Sequence, residues 1–229
     1  MTARVENSKP ERVRLAALTQ FARKNGLQIG IIGVMLGIWL LFIIGASDTF
    51  LKPDIYRALM TSVPYWGVIA LPLTMVIIAG DIDLSFISIM AVGMVVFWEA
   101  YETTSSLGVA FAASLVSGFL VGLLNGIIVV RLGIPALIAT IGTQFFWRGV
   151  VEVIRRGQGE SLTLARDTVL RDVLVSKVGG YVPAQVIWMV LVALAVWFLL
   201  NRHKLGAHTY LIGDNEASAR LMGVNVGRT

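Results

Sequence analysis

Residues 63–98 read VPYWGVIALPLTMVIIAGDIDLSFISIMAVGMVVFW. Two apolar stretches, Val63–Gly80 and Phe86–Trp98, flank the polar run Asp81-Ile82-Asp83-Leu84-Ser85. As one helix the 36 residues would extend about 54 Å, well beyond a hydrocarbon core of about 30 Å. As two crossings the stretches are short, at 18 and 13 residues. Either way the backbone is interrupted near Asp81–Ser85, and an interrupted helix at membrane depth needs protein or water around it. Whether the stretch crosses once or twice decides the side on which every later segment lies.

The rest of the chain has the same solvent preference. Of 229 residues, 56% are apolar and 14% charged, against about 25% charged in an ordinary soluble domain. A soluble fold of this length would expose large apolar patches. The composition excludes an ordinary soluble enzyme, a disordered chain and a disulfide-rich module, and identifies an integral membrane protein. The absence of cysteine removes disulfides, thiolate nucleophiles and Cys-based metal sites. The net charge of +5 does not point to nucleic acid, because the basic residues lie between apolar runs rather than in one stripe.

Outward from the opening stretch, residues 1–26 form a basic tail with a short amphipathic helix around Val13–Phe21. The uncharged run Leu27–Ser47 is long enough to span, and too long for the apolar core of a cleaved signal peptide. Expected spans are about 27–47, 63–80, 86–100, 107–130, 133–154 and 183–200, followed by a polar segment, 201–229. A connection of about 28 residues, 155–182, joins the last two spans. Charge alone does not orient the whole: eleven Lys/Arg fall inside and seven outside whether 63–98 crosses once or twice. Only a cytoplasmic amino terminus is supported in both cases.

Asp81 and Asp83 are the most informative pair in the apolar region. A carboxylate near the bilayer centre costs about 2.5–3.5 kcal/mol, which makes it a functional candidate by default. The other reading is a short turn in which the aspartates are solvated or cap a helix starting near Ser85. Asn125 is either a helix-to-helix hydrogen bond or a pathway residue. Thr140, Thr143 and Gln144 either line a polar path or, for the threonines, bond their own helix carbonyls. Ser114, Gly118, Gly122 and Gly126 fall every four residues and are read as a packing face. Arg148 and Glu152, at i and i+4, are expected to pair.

No phosphate-binding loop, H-E-x-x-H or G-x-S-x-G occurs. An intramembrane aspartyl protease would need two cooperating aspartates on different helices, and the flanking pattern at Asp81 does not fit. His203 and His208 have no partner at ligand spacing. No enzyme activity, cofactor or metal is expected.

Three segments together resemble the permease subunits of bacterial ABC importers for monosaccharides, of the ribose/xylose/galactoside type. Ala79-Gly80-Asp81-Ile82-Asp83-Leu84-Ser85 is close to G-[GE]-I-D-L-S-V-G. Gly122–Gly126, Arg131-Leu132-Gly133-Ile134-Pro135, Ala139–Thr143 and Arg148-Gly149 follow G-x-x-N-G through I-P to A-T-L-G-T and R-G. Gly206 with Tyr210–Asn225 is similar to G-x-x-x-Y-A-I-G-G-N-E-x-A-A-R-L-S-G-I-N. Phe86-Ile87 replaces the family's Val-Gly after Leu-Ser.

The resemblance implies that the third segment is a cytoplasmic coupling loop, with Gly213, Asn215, Glu216, Ala217, Ala219, Arg220, Leu221 and Gly223 facing or shaping the contact with an ATPase. A cytoplasmic coupling loop requires that 63–98 cross twice. The expected fold is then an all-α integral membrane protein of about six transmembrane helices, one interrupted region and both termini cytoplasmic. The resemblance further implies a multi-pass protein of the bacterial inner membrane that imports a monosaccharide or similar polyol. Implied partners are an ATP-binding subunit, a periplasmic or extracellular sugar-binding protein, a second permease copy and membrane lipid. Asp81, Asp83, Ser85, Asn125, Thr140, Thr143 and Gln144 are the expected substrate path. An ion-coupled secondary transporter using Asp81 or Asp83 is the alternative. The match covers this whole chain but only about two-thirds of a typical subunit, so the chain is expected to lack a carboxy-terminal part.

Overall fold

The polar run at 81–85 separates two helices. In the computed structural model, which describes Gln20, residues 23–159 and residues 168–228, the helix before it is Pro53–Ile78 and the helix after it is Phe86–Thr104. Apart from Gln20, the expected helix over Val13–Phe21 lies outside the described residues, as do most of the basic tail and residues 160–167. Helix Pro53–Ile78 starts ten residues before the expected Val63. Its first turns carry Asp54 and Arg57, whose polarity hid them from an apolar-run criterion, while Pro53 sits where a missing N–H costs nothing. Each helix is therefore long enough to cross by itself.

The elements in order are α1 (Gly26–Gly45), α2 (Ser47–Phe50), α3 (Pro53–Ile78), α4 (Phe86–Thr104), α5 (Leu107–Leu132), α6 (Ala136–Arg155), α7 (Val169–Leu174), β1 (Lys177–Val178), β2 (Val182–Pro183), α8 (Ala184–Arg202), α9 (Lys204–Asp214), α10 (Glu216–Leu221) and a 3-10 turn, Val226–Arg228. Among the described residues, α1, α3, α4, α5, α6 and α8 have the length and apolarity to cross a bilayer. The antiparallel pair β1–β2, with Lys177 opposite Pro183, is a small departure from all-α structure.

The chain divides into two compact units, one ending at Leu59 and the other running from Met60. In the first, α1 is apolar on every side and has no buried residue. A helix of that kind is solvated by lipid. There the Tyr56 hydroxyl accepts from Trp39 Nε1 at 3.0 Å and donates to the Phe50 carbonyl at 2.7 Å.

The second unit is organised by three helix pairings. Helices α4 and α5 run antiparallel: Gly93 lies against Ser114, Gly118 against Ile89, and Ser85 against Asn125. Helices α4 and α6 run parallel, touching near Leu84 and Thr140 at one end and joined by the Glu99–Arg155 ion pair, 3.2 Å, at the other. Helices α3 and α8 are also parallel, with Tyr65 bonded to Gln185 at 3.1 Å and Gly67 beneath Met189.

Two expectations need correction. Among the described residues, the small-residue face of α5 meets a neighbour at Ser114 and Gly118, whereas nothing lies within 4 Å of a side chain built at Gly122 or Gly126. The charged pair at the end of α6 uses Arg155 with Glu99; among the described residues Arg148 and Glu152 form no ion pair. Spacing along one helix predicts reach, whereas the neighbouring helix supplies the nearer partner.

Candidate functional site

The first part of the site is the turn that follows α3. It ends in a glycine cap: Gly80 adopts φ +93°, its N–H bonds the Ile77 carbonyl, and the Asp81 N–H reaches back to Val76. Only glycine takes that backbone without strain. Residues 81–84 then run without helical bonding until α4 begins.

Asp83 secures that beginning. Its Oδ1 accepts from the Ser85 N–H at 2.8 Å and from the Ser85 hydroxyl at 2.6 Å. The same Ser85 oxygen accepts from Asn125 Nδ2 of α5 at 2.7 Å. Thr140 Oγ1 of α6 lies 3.3 Å from the Leu84 N–H, which donates to it, and 3.4 Å from the Ile82 carbonyl. Ser85, Asn125 and Thr140 are 0%, 4% and 2% exposed. Thus Ser85 joins half-buried Asp83 to Asn125 of α5 and Thr140 of α6 holds the backbone at Ile82 and Leu84, a polar cluster that ties the loop to two helices. Asn125 Oδ1 has no partner there among the described residues.

The other expected path residues are not in that cluster. Thr143 donates to the Thr140 carbonyl one turn back, at 3.2 Å, the helix-internal bond that threonine favours. Gln144 is half-buried beside it. Asp81 is exposed. Partial burial, and then the negative charge of Glu216, push its carboxyl above its ordinary value.

Glu216 belongs to the second part of the site, α9–α10. His203 caps α9, its Nδ1 accepting from the Leu205 N–H at 3.2 Å. Gly206 rests against the last carbonyls of α8, those of Leu199 and Leu200, and Gly213 rests against the Ile78 carbonyl; a side chain at either would collide with backbone. Asn215 caps α10 by accepting from the Ser218 N–H at 2.8 Å, and Glu216 pairs with Arg220 at 2.6 Å. Gly223, at φ +83°, closes α10: its N–H bonds the Arg220 carbonyl while Val224 N–H reaches Ala219. This double bond pattern is the Schellman cap, and Val224 is buried beside it. Of the expected coupling residues, Ala219 is buried; Gly213, Asn215, Glu216, Ala217, Arg220, Leu221 and Gly223 are exposed. Leu221 is 90% exposed.

Sequence reasoning missed the close approaches at Gly206 and Gly213, which need a partner backbone to be visible. It also missed the Tyr65–Gln185 bond. Between α3 and α8 lies an apolar groove of about 540 Å³ that includes Gly67, Leu71, Thr74, Met189 and Trp197. None of the expected path residues lines it.

A family model described as branched-chain amino acid transport system / permease component matches residues 55–229. The autoinducer 2 import system permease protein LsrD of Yersinia enterocolitica is 31% identical over 166 residues, covering 71% of this chain and 50% of the relative. The ribose import permease protein RbsC of Escherichia coli K12 is 33% identical over 163 residues, with the same shares. The chain spans about half the length of the curated relatives it matches. No solved structure matches it.

Proposed function

This chain belongs to the branched-chain amino acid transport system permease family, and on that premise we propose that it forms part of the translocation path of an ATP-driven importer for a monosaccharide or similar polyol. It is a multi-pass inner-membrane protein. A binding protein delivers the solute from outside, a second permease copy completes the path, and a separate ATP-binding subunit supplies the energy. The two relatives are named for import of ribose and of autoinducer 2, which favours a small polar solute.

The observation that carries this reading is the construction of α10. A six-residue helix is too short to persist alone, yet this one is capped at both ends and anchored by buried Ala219 and Val224. Its exposed apolar tip, Leu221 and Met222, has no use within the described chain and suits a groove on a partner. Residues 201–228 are then cytoplasmic, as is the amino terminus, and Gly213–Gly223 is the contact with the ATPase.

The buried cluster around Ser85 serves as a structural junction at that end rather than as the solute path. The alternative of an ion-coupled transporter is weaker, because Asp83 is committed to Ser85. In the reconstituted transporter, Glu216→Arg and Gly223→Pro should abolish solute-stimulated ATP hydrolysis while membrane insertion persists. Normal stimulated turnover in both variants would remove the coupling assignment. Uptake driven by an ion gradient without any ATPase would establish the alternative.

A further inference from the structure

Residues 79–85 touch both parts of the site. On one side Gly213 abuts the Ile78 carbonyl and lies beside Gly80, a contact of backbone on backbone with no side chain between. Asp81 on the same side senses the charge of Glu216. On the other side Ser85 joins Asp83 to Asn125 of α5, and Thr140 of α6 holds Leu84 and Ile82. Seven residues therefore bridge the coupling segment and two membrane-spanning helices.

The geometry points to the segment 79–85 as the lever through which movement of α9–α10 reaches α5 and α6, with Ser85 and Asn125 as its positioning residues. This rests on the assignment of 204–223 as the coupling segment. The physical reasons are at the two contacts. A soft side chain would absorb a displacement, but a glycine against a carbonyl passes it on, since packed backbone has little free volume. At the far end, a buried hydrogen-bonded cluster resists separation, because an unpaired buried polar group costs about 1–3 kcal/mol. Residues 81–84 lack helical bonds of their own, so the lever moves without first breaking a helix. Asn125 Oδ1, without a partner among the described residues, is an acceptor available to a shifted arrangement.

Coupling of this kind is reciprocal. Hydrogen exchange on the full chain in lipid nanodiscs, without any ATPase, tests it. Gly213→Val drives a side chain into Ile78, and should raise exchange about fivefold or more at 80–85 and at 136–140. Ser85→Ala and Thr140→Val, both small changes, should in turn raise exchange at 209–216. Residues 99–106, at the far ends of α4 and α5, should not change. If the effect of Gly213→Val stays within 204–228, or if the two conservative variants leave 209–216 unaltered, the lever does not exist. Should Gly213→Val fail to fold, the conservative pair decides alone. Loss of ATPase-subunit binding in Glu216→Arg is scored separately, so failure of the coupling assignment and failure of the lever give different results.

Discussion

At the residue scale, the informative atoms are those whose polar partners come from elsewhere in the chain. Ser85 Oγ holds Asp83 and Asn125 at once, so removing it unpairs an amide buried in the helix bundle. Ser85→Ala should cost about 1–3 kcal/mol, and Asn125→Ala a similar amount. The double variant should cost less than the two together by about 0.6 kcal/mol or more, the usual worth of an interhelical hydrogen bond in lipid. Unfolding in mixed micelles measures all three values, and strict additivity would show that the bond carries no energy. The residue types at these positions are readable from sequence. Ser85, Asn125 and Thr140 stand out as polar residues in apolar surroundings, but a sequence does not say which of them meet. Sequence also left Asp83 open between a functional carboxylate and a helix cap; its bonds to Ser85 close a turn just ahead of α4, whose own cap residue, Ser85, makes no side-chain capping bond.

At the element scale, the helices follow from apolar run length and from local start and stop signals. Ser106, Asn215 and Gly223 act at the termini where their types predict. The start of α3 was not legible, because Asp54 and Arg57 interrupt the apolar pattern that marks a span. In α10 the residues that hold the helix together differ from those proposed to meet a partner. Gly223→Ala places a side chain at φ +83° and should cost about 1 kcal/mol, read as faster exchange in 216–224. Leu221→Ala, at a 90% exposed position, should change stability by less than about 0.5 kcal/mol yet weaken retention of the proposed ATP-binding subunit during purification. Retention equal to that of the unaltered chain would show that the exposed tip is not the docking face.

At the scale of the whole molecule, the helix pairings place the turn 81–85, the 132–135 connection and the α9–α10 segment at one end of the second unit, with Glu99 and Arg155 at the other. The chain has no native cysteine, so single introduced thiols report their own side of the membrane. Ser218→Cys and Arg131→Cys should resist a membrane-impermeant reagent added to intact cells, whereas Glu102→Cys and Tyr181→Cys should react; the reverse pattern would invert the proposed topology. The membrane class, the helical content and the family were legible in the amino acids alone, because apolar run length and ordered short motifs are local properties of a chain. Charge placed the amino terminus inside but did not decide how often 63–98 crosses, since either count puts eleven Lys/Arg inside and seven outside. The packing of distant segments set Asp81 and Asp83 in a turn between two full-length helices, joined Ser85 to Asp83 and Asn125, and put Thr140 on the backbone of that turn. It also decided that Gly213 is a contact rather than a spacer. The physical reason is the same in each case: hydrogen bonds and backbone collisions act over about 3 Å between segments that are tens of residues apart, and no local pattern encodes that distance.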